Sequence, residues 1–190
     1  MLSLLLNGIT QVLQLPTHVL FLLVFGLCLG QQYHLHPRTT QQGRIVAIPI
    51  ATLVLSVMFG LLFNLQSALI WSYAYALWVL LLTLLVGGCV ILQWRMAFIW
   101  LVGIGSIGGL LLGITAEPLL LPSFSAEKIS SIFAGITIGA GLLSVSVTLL
   151  AGVLQQWWQG LGVRILGSWI TACTLLVLAL HWFGHKLPVS

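Results

Sequence analysis

The run SALIWSYAYALWVLLLTLLVGGCVIL, from Ser67 to Leu92, carries no Asp, Glu, Lys or Arg, and Thr83 is its only hydroxyl after Tyr75. A helix rises 1.5 Å per residue, so roughly 20 apolar residues cross a hydrocarbon core about 30 Å thick, and this run is long enough to cross it tilted. A membrane barrel strand would alternate apolar and polar positions and span in about ten residues. The unbroken apolar character therefore predicts a membrane-spanning helix, and it sets how the rest of the chain is read.

Working outward, the same rule marks six spans, at about 16–30, 45–64, 68–92, 96–115, 129–153 and 165–183. The expected fold is all-α: one membrane domain over residues 1–190, a bundle of about six transmembrane helices plus a short N-terminal interfacial helix. Composition agrees, since 60% of the 190 residues are hydrophobic and only 4% are charged, with a mean hydropathy of +1.18. That is too little charge to cover a soluble surface. Pro16 suits the first turn of the first span, where its missing N–H costs little. The preceding MLSLLLNGITQVLQL lacks a basic leader and an A-x-A-like cleavage site, so it does not read as a signal peptide. It is expected to lie in the interface as a helix broken near Asn7-Gly8, or to enter partway and turn back. Cys28, Cys89 and Cys173 fall in apolar runs without CxxC spacing and read as small buried hydrophobes.

Charge lies only between the spans or at their ends. Arg38, Arg44, Arg95 and Arg164 fall in alternate connections, whereas Lys128, Lys186, Glu117 and Glu127 fall in the others. With six spans the arginines share one face, which the positive-inside rule makes cytoplasmic, so both termini are predicted outside. The net charge of +4 thus bears on orientation, and no nucleic-acid partner is implied. Trp157 and Trp158 suit the headgroup belt.

GIGSIGGLLLG places Gly103, Gly105 and Gly108 at GxGxxG spacing. A dinucleotide site would need a strand-to-helix turn and water, and this stretch lies inside a span. Gly105, Gly109 and Gly113 form instead a small-xxx-small stripe for close helix packing, and Gly135 with Gly139 offers a matching groove. His34 and His36 of HLHPR have no nearby Cys, Asp or Glu to complete a metal site and read as a solvated loop. In ALHWFGHK, His181 and His185 are four residues apart and share a helix face at the outer boundary. His18 and Glu117 belong to the same boundary, so His18, Glu117, His181 and His185 are a candidate ligand set for nickel, cobalt or zinc. The alternative is four ordinary interfacial side chains bonded to water, lipid or a partner. No span contains an ionisable Asp, Glu, Lys or Arg of the kind that secondary transporters use for coupling. There is no aspartate in the chain and no Ser or Cys beside a plausible base, so no enzyme is predicted. The hydroxyls in the spans, such as Thr52, Ser56, Ser72, Tyr73, Ser144, Ser146, Thr171 and Thr174, are expected to bond to neighbouring helices or to backbone.

The order of short-looped spans, with LPTHVLFLLVFGL first and VRILGSWITACTLLVLAL last, resembles the HupE/UreJ family. These are small membrane proteins associated with hydrogenase and urease systems, with proposed roles in nickel or cobalt uptake. The family signature is a His-Pro pair, two variable residues, Gly, one variable residue and Asp-His. If His18 takes the last position, Thr17 stands for the aspartate, Leu15 for the glycine, and Gln11 and Val12 for His-Pro. Around GGLLLGITAEP the family has histidines among glycines before a glutamate; Glu117 remains here, while Ser144 stands where a fifth-span histidine is expected. The resemblance implies a retained scaffold with a depleted metal path, because Gln, Thr, Leu and Ser are neutral and weak ligands. Two functions follow: a non-catalytic accessory subunit of a larger membrane complex, respiratory or photosynthetic, or a nickel/cobalt permease using the outer His/Glu set. No cofactor is firmly implied, although His18 or His181 could offer an imidazole to a chlorophyll magnesium.

Overall fold

Helix follows helix along the whole described chain. The computed structural model describes residues 2–35, 42–66, 72–116, 126–158 and 160–184. They form α1 (Leu2–Gln14), α2 (Pro16–Leu35), α3 (Gln42–Gln66), α4 (Ser72–Ile91), α5 (Phe98–Thr115), α6 (Ala126–Trp158) and α7 (Leu161–Gly184). This is an all-α bundle of the polytopic membrane type. Four stretches are long and apolar enough to cross a bilayer: Gly43–Phe63, Phe98–Thr115, Ile129–Trp158 and Leu161–Leu180. The bent pair Leu5–Gln14 and Pro16–Tyr33 makes a fifth, and Tyr75–Ile91 is a shorter apolar helix.

The count among described residues is therefore four or five, not the six expected from sequence. Two places account for the difference. The third predicted span begins at residues outside the described set, and α4 takes up only from Ser72. Polar residues close both ends of α2, with Pro16, Thr17 and His18 at one and Gln31 and Gln32 at the other, which shortens its apolar centre.

The centre of the bundle is α2. Phe21, Leu22, Val24, Phe25, Leu27, Cys28 and Leu29 are all buried on a single helix, so it is enclosed on every side. The enclosing helices include α4 and α6, which meet it through named contacts. A Cβ added to Gly26 would lie 2.8 Å from the Val147 side chain, and one at Gly30 would lie 2.5 Å from the Ala151 methyl. These glycines bring α2 backbone-close to α6. Between helices in lipid, such contact is what holds, because apolar surface gains nothing by leaving one oily medium for another.

The α5 stripe lies on α3. A Cβ at Gly105 would lie 2.9 Å from the Pro49 carbonyl, and one at Gly109 would lie 2.5 Å from the Leu53 carbonyl. Gly113 faces the Val57 carbonyl and the Cα of Gly60. Both sets of residues ascend together, so α3 and α5 run parallel. Gly108 and Gly105 turn toward α2 as well, and admit the rings of Phe21 and Phe25, which stack with centroids 5.8 Å apart.

Gly135 and Gly139 do not match that stripe. They receive α1: Gly135 meets the Leu5 carbonyl and Gly8, and a Cβ at Gly139 would lie 3.2 Å from the Ile9 Cα. Here one of the two N-terminal readings, the helix broken near Asn7-Gly8, is corrected too, while the bent pair leaves entry partway and a turn back in place. The first helix is unbroken at Asn7-Gly8, because Gly8 is the point of contact with α6; the chain bends by 86° between α1 and α2, where Leu15 precedes Pro16. The residue before a proline is pushed out of helical geometry, so the break falls where the sequence forces it.

Helix α4 runs antiparallel to α7, since Val90 packs on Gly167 and Gly87 on Thr171. These pairings place the start of α3, the end of α4, the start of α5 and the start of α7 at one end. Arg44, Arg95 and Arg164 consequently share that end, all exposed. Arg38 and Lys186 lie outside the described residues. Of the cysteines, Cys28 is buried as expected, but Cys173 is exposed on α7.

Candidate functional site

Pro16 opens α2, and the backbone N–H groups of His18 and Val19 both turn back to the Leu15 carbonyl, at 3.1 and 3.2 Å. This tight first turn aims the His18 ring inward, where only 3% of the residue is exposed. Its Nε2 lies 2.9 Å from Thr115 Oγ1, in the last turn of α5. The Thr115 hydroxyl gives its proton to the Leu111 carbonyl at 2.7 Å and also lies 3.3 Å from the Leu112 carbonyl. With that proton committed, the hydroxyl oxygen accepts, and His18 donates from Nε2–H. The imidazole thus ties the start of α2 to the end of α5. Buried polar groups are kept when they are paired in this way.

Of the candidate ligand set, His18 alone has a described side chain. Glu117 and His185 lie outside the described residues, and His181 is placed in α7 only as a helix position. Among the described residues, no three His, Cys, Asp or Glu side chains gather as a metal site.

Hydroxyls in the bundle turn to their own helices. Thr52 donates to Pro49, Thr83 to Val79, Ser146 to Leu142, Thr148 to Ser144, Thr171 to Gly167 and Thr174 to Ile170, and Ser56 donates to Thr52. Of the two roles expected, Thr52, Ser56, Ser146, Thr171 and Thr174 adopt backbone bonding within the helix, while the side chains of Ser72 and Tyr73 lie outside the described residues. Ser144 differs: its side chain is wholly buried in the seam with α2, and its hydroxyl has no hydrogen-bond partner.

The arginine end holds a polar clasp that the sequence reading passed over. Gln31 and Gln32 are each 1% exposed. Gln31 Nε2 donates to the Val90 carbonyl at 3.2 Å. Gln32 Nε2 donates to the Trp94 carbonyl at 2.7 Å, while its Oε1 accepts from the Met96 N–H at 3.3 Å. The clasped segment is the end of α4, closed by a bond from the Trp94 N–H to the Cys89 carbonyl and another from Gln93 to Val90. Such a closure needs a left-handed residue, usually glycine, and Gln93 adopts it at φ 52°. The signal was present in GLCLGQQ: two glycines four apart, then two adjacent amides. A pair of amides facing inward at the end of a span needs backbone partners, and an adjacent helix end has carbonyls to spare.

No protein-family model matches this chain, and neither the curated proteins nor the solved structures include a significant match.

Proposed function

We propose that the chain is a non-catalytic accessory subunit of a larger membrane complex, on a scaffold of the HupE/UreJ kind, with six spans and both termini outside. One observation carries this reading: His18, the histidine nearest to the resemblance's metal signature, is consumed as a helix tie to Thr115. An imidazole that donates from Nε2 and is 3% exposed is arranged for packing. The hydroxyls bonded to their own helices fit the same picture. Outward, α7 presents Trp169, Leu176 and Leu180, apolar side chains suited to lipid or a neighbouring subunit's helix.

Purification from native membranes in mild detergent should retain stoichiometric partner subunits; a chain that purifies alone, and restores uptake in a strain lacking other nickel and cobalt importers, would overturn the reading. In that strain His18→Ala should leave nickel and cobalt accumulation unchanged. A lone imidazole supplies one ligand where tight sites need three or four. Its cost should appear in stability, at about 1–2 kcal/mol, with Thr115→Val similar and the double variant less than additive. Uptake abolished by both His18→Ala and His181→Ala would establish the permease instead.

The orientation has its own test. Cysteines introduced at Thr40 and Ser123 should react from opposite sides of the membrane, with Thr40 protected in intact cells. Labelling of Thr40 from outside would reverse the topology.

A further inference from the structure

A furrow of about 320 Å³ runs between α4 and α5, lined by Trp78, Leu81, Leu82, Leu85, Ile107 and Leu111. Its rims face outward: Trp78 is 61% exposed, and Leu85 and Ile107 are each 57% exposed. Two glycines continue it toward the arginine end. Gly88 is seven residues from Leu81 and three from Leu85, and Gly103 is four from Ile107, so each sits on the furrow's own face. Unlike the packing glycines, both are open: a Cβ at either would meet nothing within 4 Å. Glycine in a helix costs about 1 kcal/mol relative to alanine, and no neighbouring helix here requires it. The missing side chains extend the channel to the α4–α5 connection, where Trp94 and Arg95 stand exposed.

Lengths fit one ligand. At 1.5 Å per residue, Leu85 lies about 9 Å and Trp78 about 20 Å along α4 from Ile91. One leaflet's hydrocarbon is about 15 Å deep. The furrow therefore spans the depth of an acyl chain whose headgroup sits at Arg95. Charge selects the headgroup. Both acids of the chain, Glu117 and Glu127, fall between the end of α5 and the first turn of α6, away from the arginine end. Arginine's planar donors suit phosphate oxygens.

We propose that the α4–α5 seam is a binding site for an anionic phospholipid, with its phosphate on Arg95 and one acyl chain in the furrow over Gly88 and Gly103. The site is independent of the accessory role and of which side the arginines face.

The test uses the full chain in mixed micelles holding equimolar dioleoyl phosphatidylglycerol and dioleoyl phosphatidylcholine, with bound lipid counted by native mass spectrometry. Phosphatidylglycerol adducts should exceed phosphatidylcholine adducts about fivefold, as one basic residue at the headgroup level provides. Arg95→Gln should level the two, while Arg44→Gln on α3 keeps the preference. Gly88→Leu and Gly103→Leu point into open space, so the fold persists, and both should reduce adducts of either lipid. Equal retention by the native chain would overturn the proposal and leave the furrow to an apolar partner helix. A preference that survives Arg95→Gln, or adducts unchanged by both leucine variants, would overturn it equally.

Discussion

Leucine in place of Gly109 is expected to abolish assembly of the bundle, at a cost above about 3 kcal/mol. Even a single carbon there would lie 2.5 Å from the Leu53 carbonyl and 3.0 Å from the Ser56 Cβ. The first of these is backbone, so no rotamer change relieves the clash; α3 and α5 must separate. Separation also opens the contacts one turn away, at Gly105 and Gly113. Leu110→Ala, one residue along, trims a side chain that is 43% exposed, and should cost about 0.5 kcal/mol. Yield of monodisperse protein in mild detergent, with thermal unfolding of what is recovered, compares the two. Equal yields and equal unfolding temperatures would remove the glycine contact as the basis of the α3–α5 pair.

The second large effect lies between α5 and α2. The three atoms nearest to a Cβ on Gly108 all belong to the Phe21 ring. That ring is fully buried and stacked on Phe25, so it has no room to swing. Gly108→Ala should destabilise by about 2–3 kcal/mol, and Phe21→Leu, which leaves a void, by about 1–2 kcal/mol. Combined, they should cost at least about 1 kcal/mol less than their sum, because the smaller side chain vacates the space the methyl needs. Denaturant unfolding of the four proteins in micelles gives the cycle directly. Strict additivity would mean that ring and glycine do not share a volume.

The class of fold could be read from the sequence because the bilayer imposes it: runs such as Gly43–Phe63 have one way to satisfy their backbone in lipid. Which glycine meets which helix could not. Gly105, Gly109 and Gly113 carry a spacing that announces close packing but not a partner, and the natural guess joined them to Gly135 and Gly139. Their partners proved to be the carbonyls of Pro49, Leu53 and Val57, which any sequence would supply. Gly26 and Gly30 have the same spacing and were passed over within the first span. The imidazole at the mouth of that span illustrates the other limit. His18 was legible as an anomaly, yet its partner Thr115 lies 97 residues away and looks like any other hydroxyl at a helix end. The glutamines were passed over for a related reason: an amide near a boundary names no partner until a facing helix end is known.

The enclosure of α2 also orders the making of the protein. Helices α3, α4 and α5 separate it in the chain from α6, whose Ala151 and Val147 close over Gly30 and Gly26. During synthesis, α2 must therefore wait in the bilayer with that glycine face bare. Chain stopped before α6 leaves the same face open to lipid and to membrane proteases, although the end of α4 is already there to hold the amides of its far end. Quality control in the cell would meet such a fragment as an orphan, so the last third of the translation decides whether α2 is covered.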